Sequence, residues 1–468
     1  MSLELTRVAD IVGVEPEPSW SEIELSDVCH DSRAMAPEAL FAAITGDSSD
    51  GHSYAGDAVE AGAVALLVER PLGLGVAELR VASVRESLGP VSSAVHGNPS
   101  RALQLVGVTG TNGKTTTVRI LSRLLSELGV SVAEIGTLTG ERTTPEAPEL
   151  QRFLADAVAR DVAAVAMEVS SHGLAQRRVD GCRFTVAAFT NLGSDHLDYH
   201  GTIEEYFAAK RRLFSPELSD LAVVNVDGEF GSRLADEITI PTVRVGAHLV
   251  GSLRFEHCMN RFRWREREVQ LPLAGEFNVA NAVMAAEIAV ALGQAPGDIA
   301  EALATTPSVP GRFEMIAQGQ PFTVIVDYAH THDALEAVLT AARAMTSSSL
   351  IVVFGAGGNR DHDKRPLMGR VVRSLADRVV VTSDNPRDEP AEDIISAIVS
   401  GMATPPDIVE VDRRRAIGAA FDIAREGDLV LLAGKGHEAT QTIGSRTYAF
   451  DDRQVAVEQL RMRTGAAS

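Results

Sequence analysis

Short apolar segments alternate with amphipathic segments of helical length over most of this chain, and that alternation restricts the folds it can adopt. Between residues 104 and 226, apolar runs predict buried strands at 104–108, 163–169, 185–190 and 221–226. The segments between them have helical periodicity at 115–128, 149–159 and 204–214. Because such alternation is typical of a mostly parallel sheet with helices on both faces, we expect an α/β fold.

A second series of the same kind begins near residue 322. Its predicted strands are 323–326, 350–354, 378–382, 408–411 and 428–433, with helices such as 334–344 and 413–424 between them. The segment 305–312, TTPSVPGR, predicts a hinge between the two series, and a smaller unit precedes the first series. Since 468 residues correspond to roughly two to four domains, we predict three domains, at 1–98, 99–311 and 312–468.

The charge balance and the cysteine content exclude several classes of protein. With 64 acidic and 43 basic residues the net charge is −21, whereas nucleic-acid binders present a cationic face. Cys29, Cys182 and Cys258 are far apart, which excludes a disulfide framework and a cysteine-rich zinc site. The first segment carries Glu4 and Asp10, unlike a signal peptide, and no apolar run approaches the roughly 20 residues that span a bilayer. We expect a cytoplasmic protein that binds neither nucleic acid nor membrane.

The segment VGVTGTNGKTT, residues 106–116, joins a predicted strand to a predicted helix. Its glycines allow several backbone N–H groups to point at an anion, and the helix N-terminus adds its dipole. Lys114 can reach the β- and γ-phosphates, and the Thr115 hydroxyl can ligate Mg²⁺. The general pattern GxxxxGK[ST] has glycine where Val108 stands here. The segment predicts binding of a nucleoside triphosphate.

Polar residues follow the next two strands of this series. Glu168 ends one apolar run, and His196 comes shortly after the next. Because the carboxyl ends of neighbouring parallel strands meet where α/β sheets bind ligands, both could reach a metal that accompanies the triphosphate. Each could equally be structural, the glutamate as a helix cap and the histidine as a partner of a backbone carbonyl. Lys210, in YFAAK, would on pattern alone be an ordinary solvated lysine.

Nine segments occur in an order that resembles the Mur ligases. They are TGTNGKTT, MEVSSHGLAQRRV, TNLGSDHLDYHGTIEEYFAAKRRLF, GEFNVANAVMAA, PGRFE, DYAHTHDALE, VFGAGGNRDHDKRPLMG, SDNPRDEP and AGKGHE. SSHGLAQRRV, GNRDHDKRP, DNPR and GKGHE resemble the branch of the family that adds the third residue of the peptidoglycan stem peptide. The resemblance covers nearly the whole chain. It implies a small N-terminal UDP-binding α/β domain, a central P-loop ATPase-type sheet and a Rossmann-like C-terminal domain.

The resemblance also implies the chemistry. In the family a substrate carboxylate takes the γ-phosphoryl group of ATP, and an amine then displaces phosphate from the acyl phosphate. The expected ATP-binding residues are Gly110, Thr111, Asn112, Gly113, Lys114, Thr115, Thr116, Asn281, Arg312, Asp327 and His330. The expected catalytic residues are Lys114, Glu168, His196 and Lys210, and the expected ligands of two Mg²⁺ ions are Thr115, Glu168, His196 and Lys210. Lys210 matches the lysine that carbon dioxide carbamylates in the family, which turns a cation into a carboxylate-like ligand.

The expected acceptor substrate is UDP-N-acetylmuramoyl-L-alanyl-D-glutamate. By resemblance its contacts are Ser32, Asp47, Ser48, Ser49, Thr143, Thr144, Ser170, Gln176 and Arg178. The first four belong to the N-terminal domain and would meet the uridine. Arg142 stands where the family often has Asn or His, and we expect it to add a contact to this substrate.

The expected amino-acid substrate is meso-diaminopimelate. Its expected contacts are Arg360, Asp384, Asn385, Pro386, Arg387, Gly434 and Glu438. Arg387 offers a planar fork for the distal carboxylate and would repel the ammonium of lysine, while Glu438 would pair with the distal ammonium. Two stretches depart from the family pattern. His332 replaces a proline, which predicts a looser turn, and HDKRP replaces the usual DKGKRP after Arg360.

Three alternatives stay open at this point. The first is the same ligase with L-lysine or another diamino acid as its substrate. The second is a folylpolyglutamate synthetase, which resembles the Mur ligases in its P-loop and amide chemistry. The third is a nucleotide-dependent switch or scaffold that kept the fold without catalysis. For the leading interpretation we expect a monomer whose C-terminal domain closes over the acyl phosphate and excludes water.

Overall fold

The N-terminal part of the chain contains a parallel sheet. A computed structural model describes residues 2–46, 49–256 and 259–465. The strands of the first part are β1 (Leu3–Glu4), β2 (Glu24–Leu25), β3 (Asp27–Cys29), β4 (Ala39–Ala42), β5 (Ala65–Val68) and β6 (Ala77–Arg80), and its α-helices are α1 (Leu5–Val12), α2 (Ala55–Glu60) and α3 (Val84–Val95). The parallel sheet has the order β3-β4-β5-β6, and β1 pairs with β2 in a separate antiparallel ribbon.

The central part is built around a larger parallel sheet. Its strands are β7 (Gln104–Thr109), β8 (Val132–Ile135), β9 (Ala164–Glu168), β10 (Val186–Phe189), β11 (Ala222–Asn225) and β12 (Thr242–Val245), followed by an antiparallel sheet of β13 (Val250–Glu256), β14 (Met259–Trp264) and β15 (Arg267–Leu271). Its α-helices are α4 (Lys114–Glu127), α5 (Ala147–Ala159), α6 (Ser171–Ala175), α7 (Leu197–His200), α8 (Ile203–Arg211), α9 (Glu229–Glu237), α10 (Glu276–Ala291) and α11 (Pro296–Leu303). The parallel order is β12-β11-β10-β7-β9-β8.

That strand order positions the site. The chain leaves β7 toward β8 and β9 on one side and later returns to β10 on the other side. A reversal of this kind opens a crevice at the carboxyl ends of the strands, where α/β sheets bind ligands. The strands are buried on both faces: Val106 and Val108 pack into one apolar cluster, and Leu105 and Met167 pack into the other. Continuous burial explains why the predicted strands are apolar runs rather than alternating patterns.

The C-terminal part contains a second large sheet. Its strands are β16 (Glu314–Ile316), β17 (Thr323–Asp327), β18 (Leu350–Phe354), β19 (Arg378–Val381), β20 (Ile408–Val409) and β21 (Leu429–Ala433), with a separate hairpin of β22 (Thr440–Ile443) and β23 (Arg446–Ala449). Its α-helices are α12 (His332–Ala344), α13 (Lys364–Leu375), α14 (Ala391–Ser400), α15 (Arg413–Ile423) and α16 (Asp452–Thr464). The order is β16-β17-β21-β18-β19-β20, and β16 alone in this sheet runs antiparallel to its neighbour in the part of the chain described.

The predicted α/β fold is confirmed, and each predicted strand of the two series is present with ends that differ by up to two residues. Each parallel sheet lies within one of the three predicted segments, although the boundaries at 98 and 311 stay predictions. Among residues 2–46, 49–256 and 259–465, no helix has both the length and the apolar character needed to cross a bilayer.

The N-terminal and central parts meet where two backbone segments touch. A Cβ atom built on Gly89, in α3, would lie 2.1 Å from the carbonyl oxygen of Asp180. One built on Gly181 would lie 2.5 Å from the carbonyl oxygen of Gly89. Ser93, one turn after Gly89, donates a hydrogen bond to the Gly181 carbonyl at 2.9 Å. Only glycine allows so close an approach of two backbones.

The Gly89→Ala variant should therefore be less stable than wild type. Its methyl group meets backbone atoms that cannot rotate away, so we expect a loss of about 1–3 kcal/mol in the free energy of unfolding. Gly56→Ala, in helix α2, is the matched control because nothing lies within 4 Å of its Cβ position. That control should gain up to about 1 kcal/mol from helix propensity. Thermal unfolding of both variants tests this, and equal midpoints would contradict the close contact.

Candidate active site

The loop between β7 and α4 has the geometry of a phosphate-binding loop. Helix α4 begins at Lys114, directly after Gly113, whose φ is +86°. The Lys114 Nζ donates hydrogen bonds to the carbonyl oxygens of Gly110 and Thr111, both at 2.8 Å. Val108, which departs from the general pattern, lies inside β7 with its side chain in the core. The departure thus affects the strand and leaves the loop intact.

Lys210, on helix α8, points into the same loop. Its side chain is buried, and Nζ donates to the Gly110 carbonyl at 2.9 Å and lies 4.5 Å from the ring centroid of Tyr206. Burial lowers the pKa of Lys210 well below its usual value, and the neighbouring charge of Lys114 lowers it further. Burial also lowers the pKa of Lys114. Lys210 is therefore far from the solvated helix lysine that its sequence pattern alone indicates.

Glu168 supplies oxygen atoms beside the start of α4. One oxygen accepts hydrogen bonds from the Thr115 hydroxyl at 2.8 Å and from the Thr137 hydroxyl at 3.2 Å. The other accepts from the backbone N–H of Thr137 at 2.8 Å. Buried carboxylate and hydroxyl oxygens are the donors that Mg²⁺ prefers, and Mg²⁺ is usually held by one or two carboxylates together with substrate phosphates. The residues present therefore fit the ion.

His196 and His330 face a shared carboxylate, that of Asp195. The Asp195 Oδ2 lies 3.5 Å from Nε2 of His196 and 3.8 Å from Nε2 of His330. Desolvation in the site lowers the pKa of His196 below its usual value, so its neutral ring has a lone pair available for a metal. Among the described residues, no group of three or more His, Cys, Asp or Glu side chains could hold a metal by themselves.

Arg312 joins the C-terminal part of the chain to this site. Its guanidinium donates to the Thr115 hydroxyl at 3.3 Å and stacks over the Tyr328 ring at 4.2 Å. Its Nε is buried without a hydrogen-bond partner in the described part of the chain. Asp327 accepts from the backbone N–H groups of Phe313 and Ala329, each at 2.7 Å. Asp327 therefore orders the turn that carries Arg312.

These groups line one cavity of about 380 Å³. The predicted residues among its lining are Thr111, Asn112, Gly113, Lys114, Thr115, Thr116, Thr143, Glu168, Ser170, His196, Lys210, Asn281, Arg312, Asp327 and His330. Gly110 is the exception among the predicted ATP-binding residues, since it contributes its carbonyl oxygen to the two lysines instead. Sequence reasoning missed Thr137, Asp195, Tyr206 and Tyr328, which also line the cavity.

The remaining residues predicted to bind the muramoyl dipeptide continue from this cavity. Thr144 donates to the Ser170 hydroxyl at 3.2 Å and accepts from the Ser170 backbone at 2.9 Å. Arg178 donates to the Thr144 carbonyl at 2.9 Å and to the Gln176 side chain at 2.6 Å. A hydrogen-bonded chain therefore leads from Ser170, at the cavity wall, to Arg178.

Arg142 pairs with a carboxylate of its own chain, that of Glu146. Its guanidinium lies 3.3 Å from Glu146, a buried carboxylate that also pairs with Arg178 at 3.0 Å and with Arg85 of helix α3 at 2.6 Å. Nothing in the sequence pattern indicates this cluster, because Arg85 comes from the N-terminal part of the chain. The expected contact of Arg142 with substrate stays a prediction, and its structural partner is Glu146.

Ser32 and Ser49, the described members of the predicted uridine-binding set, are not among the residues that line the cavity. Ser32 begins a short 3₁₀ turn in which the Asp31 side chain accepts from the backbone of Arg33. The Ser49 carbonyl accepts from the Gly46 backbone at 2.9 Å. Asp47 and Ser48 lie outside the described residues, as does Cys258. The assignment of uridine to this loop stays a prediction.

The predicted amino-acid-binding residues form a second cluster at the carboxyl ends of β19 and β21. Asn385 donates to Glu438 at 2.8 Å, and Arg387 donates to the Gly358 carbonyl at 2.6 Å. Gly434 lies against Asp384, since a Cβ built there would be 2.6 Å from Asp384 Oδ2. That oxygen is buried and has no hydrogen-bond partner in the part of the chain described. Pro386 and Arg360 flank the cluster. A Cβ built on Gly358 would meet the backbone of Pro386, and one built on Gly357 would lie 3.8 Å from Cγ of Arg360.

Lys435 is a member of this cluster that sequence reasoning missed. Its buried Nζ lies 3.1 Å from Glu438 and 3.3 Å from the Asn385 side-chain oxygen. One oxygen of Glu438 therefore already has a cationic partner. The pairing of Glu438 with a substrate ammonium stays a prediction. The charged residue within GKGHE was the available signal.

Helix α12 has an N-terminal cap, although His332 stands where the family has proline. The Thr331 hydroxyl accepts a hydrogen bond from the Ala334 backbone, so the helix begins at His332 with its N-terminus satisfied. His332 Nε2 lies 3.0 Å from Asp333. Asp333 also accepts from the Ser194 backbone at 3.0 Å, across to the central part of the chain. These bonds give the turn partners although the proline is absent, and the looser turn stays a prediction.

Comparison with known proteins agrees with this geometry. The Mur ligase family catalytic domain matches residues 24–98, the Mur ligase middle domain matches 108–289, and the Mur ligase glutamate ligase domain matches 311–436. A UDP-N-acetylmuramoyl-L-alanyl-D-glutamate--2,6-diaminopimelate ligase from Syntrophomonas wolfei is 41% identical over 98% of this chain and 99% of its own length. The chain belongs to the Mur ligase family. Like other members, this Mur ligase is an ATP-dependent enzyme that forms amide bonds.

Two further relatives share the full length of this Mur ligase. The ligase of the same name from Streptomyces coelicolor is 41% identical over 98% of this chain and 97% of its own. A solved structure titled UDP-N-acetylmuramoyl-L-alanyl-D-glutamate--2,6-diaminopimelate ligase is 31% identical, with a TM-score of 0.69 over 99% of this chain and all of that one.

The stability of this Mur ligase should depend on pH through His437. Its ring packs against Tyr328 at 5.1 Å, and burial together with Arg312 and Arg453 lowers its pKa to about 4. An unfolded histidine titrates near 6.5, so between these values the unfolded state binds more protons. The unfolding temperature should therefore fall as pH decreases from about 6.5 to 4. The His437→Gln variant should show a weaker fall over this window, and an unchanged slope would contradict the assignment.

Proposed function

We propose that this Mur ligase joins meso-diaminopimelate to UDP-N-acetylmuramoyl-L-alanyl-D-glutamate, using ATP and an acyl-phosphate intermediate. The observation that carries the proposal is the single cavity in which the P-loop, Glu168, Lys210 and Arg312 meet. Relatives that are 41% identical over nearly their whole length carry this activity in their names. The cluster around Arg387 supports the choice of amino acid.

The chain's residues would act mainly by positioning charge. The backbone N–H groups of the loop and the N-terminus of α4 face the triphosphate, and Lys114 would turn from the Gly110 carbonyl toward the phosphates. Thr115 and Glu168 would hold Mg²⁺, which neutralises charge that spreads over the transferred phosphoryl group. Arg312, whose Nε has no hydrogen-bond partner among the described residues, would add a cation from the C-terminal side. We propose His196 as a further ligand.

Lys210 is proposed to carry a carbamate. A neutral amine attacks carbon dioxide, forms an N–C bond and loses a proton, and the product is an anion with two oxygen atoms. Burial beside Lys114 favours the neutral amine, as the lowered pKa of Lys210 indicates. The resulting oxygens would bind a second Mg²⁺ where an ammonium would be repelled. The carbamate, the ion count and a monomeric state all belong to the proposal.

The substrates would lie on opposite sides of this centre. Ser32 and residues 47–49 would bind uridine, and Thr143, Thr144, Ser170, Gln176 and Arg178 would hold the muramoyl dipeptide. On the other side, the Arg387 and Arg360 guanidinium groups would take the two carboxylates of the diamino acid. The Asp384 oxygen that has no partner in the described part of the chain would accept from its distal ammonium, together with Glu438.

The reaction itself separates the proposal from its alternatives. Incubation with ATP, the UDP-muramoyl dipeptide and meso-diaminopimelate should release ADP and phosphate, whereas L-lysine should replace diaminopimelate poorly because Arg387 repels its ammonium. Folate with glutamate is the control for the folylpolyglutamate alternative. Turnover with lysine at an equal rate would assign a different amino acid. No turnover in any arm would favour the switch or scaffold.

The carbamate makes a separate prediction. Lys210→Ala should lower kcat by at least about a thousandfold, because an anionic metal ligand is lost from the reacting centre, while ATP binding through Lys114 should persist. Wild-type enzyme prepared without carbon dioxide should lose activity and recover it on addition of bicarbonate. Arg244→Ala, which removes an exposed cation of β12 that pairs with Asp236, is the control for loss of a cation. Wild-type turnover by Lys210→Ala would contradict the carbamate.

A further inference from the structure

The hairpin of β22 and β23 projects from the C-terminal sheet. Strand β23 is exposed along its whole length, and its Tyr448 is 47% exposed. Strand β22 is different, because Gln441 is buried and faces the loop that follows β19. The hairpin thus presents one strand to solvent and the other to the predicted amino-acid site.

Two side chains connect β22 to the first half of that loop. The Gln441 side-chain amide donates to the Ser383 hydroxyl at 3.1 Å and to the Asp384 carbonyl at 2.6 Å. The backbone N–H of Thr442 donates to the Asn385 side chain at 3.0 Å. Three successive loop residues are therefore bonded to two successive hairpin residues.

Arg387 is bonded to the hairpin through its backbone at both ends. Its N–H donates to the Thr442 carbonyl at 3.1 Å, and its carbonyl accepts from the Gly444 N–H at 2.6 Å. Arg387 has a φ of +52°, a left-handed conformation that is unfavourable for a side chain of this kind. Such a conformation persists only where the surroundings impose it, and here the hairpin supplies both backbone partners. The Gly358 carbonyl then fixes the guanidinium end.

We propose that the β22–β23 hairpin is a positioning element for amino-acid selection. It holds Arg387 in the conformation that aims the guanidinium at the distal carboxylate of a diamino diacid. The inference rests on the proposed role of Arg387 and goes beyond it, because it assigns a function to an exposed hairpin that lies outside the predicted amino-acid-binding residues. Thr442, Gly444 and Gln441 are positioning residues in this account.

Gly444 allows the proposal to be tested through the backbone alone. Its φ is +56°, and nothing lies within 4 Å of its Cβ position, so an added Cβ meets no neighbour and a substitution acts first on backbone conformation. Gly319, in the turn between β16 and β17, is a matched control with a φ of +79° and equally open space. Asn tolerates the left-handed conformation much better than Val, so Gly444→Asn is the conservative variant.

Gly444→Val should raise the KM for meso-diaminopimelate about tenfold, the scale expected when a left-handed residue becomes β-branched. Its KM values for ATP and for the UDP-muramoyl dipeptide should stay within about twofold, as should all three KM values of Gly444→Asn and Gly319→Val. Thermal unfolding should shift equally for Gly444→Val and Gly319→Val. If Gly444→Val does not fold, Gln441→Glu takes its place in the experiment. Its carboxylate cannot donate to the Asp384 carbonyl, so this variant should also raise the KM for meso-diaminopimelate.

Two results would overturn the inference. Equal KM values for diaminopimelate in Gly444→Val and Gly319→Val would show that the hairpin does not position Arg387. A rise of all three KM values together in Gly444→Val would show a general structural role. Arg387→Ala, measured in parallel, distinguishes failure of the hairpin inference from failure of the proposed amino-acid site. A large rise in KM for Arg387→Ala with no effect of the hairpin variants rejects the inference alone, whereas no effect of Arg387→Ala rejects the proposed amino-acid site and the inference with it.

Discussion

The carbonyl oxygen of Gly110 accepts hydrogen bonds from two lysine side-chain nitrogens, those of Lys114 and Lys210, at 2.8 and 2.9 Å. Lys210 is buried and Lys114 is partly buried, and two positive charges here would repel each other in a medium that screens poorly. The lowered pKa of each lysine expresses this conflict. A triphosphate would relieve it by drawing Lys114 toward an anion, and carbon dioxide would relieve it by converting Lys210 into one. Under the proposed function, this repulsion would favour the binding of both ligands.

The rest of the fold brings partners to that loop from distant parts of the chain. Glu168 arrives on the strand next to β7, with the Cα atoms of Val108 and Glu168 paired in register. Arg312 reaches Thr115 from the end of the predicted hinge, and His330 approaches Asp195 from the turn between β17 and α12. The backbone of Ser194 also donates to Asp333 at the start of α12. These contacts join two sheets with largely distinct apolar clusters, and Ala274 and Phe277 of the central part also pack into the C-terminal cluster.

Sequence reasoning predicted the parts of this structure that depend on local pattern. Buried strands were evident as apolar runs, and the phosphate loop was evident because strand, glycines, Lys114 and helix are consecutive. Contacts between distant segments gave no such signal: Thr137 bonds to Glu168 across 31 positions, and Arg142 pairs with a carboxylate that Arg85 also binds. Lys210 shows most clearly where pattern alone fails. Its place in the helix predicts a solvated lysine, and only the family resemblance indicated a functional one.

In the proposed mechanism, a glutamyl carboxylate of the acceptor substrate is phosphorylated before the amine attacks. The most direct measurement uses UDP-N-acetylmuramoyl-L-alanyl-D-glutamate labelled with ¹⁸O in its glutamyl carboxylates, together with ATP, Mg²⁺ and meso-diaminopimelate. Mass spectrometry of the released inorganic phosphate should find one ¹⁸O atom transferred for each amide bond formed, because the acyl phosphate leaves with an oxygen from the carboxylate. Phosphate that contains no ¹⁸O while product accumulates would contradict the acyl-phosphate route.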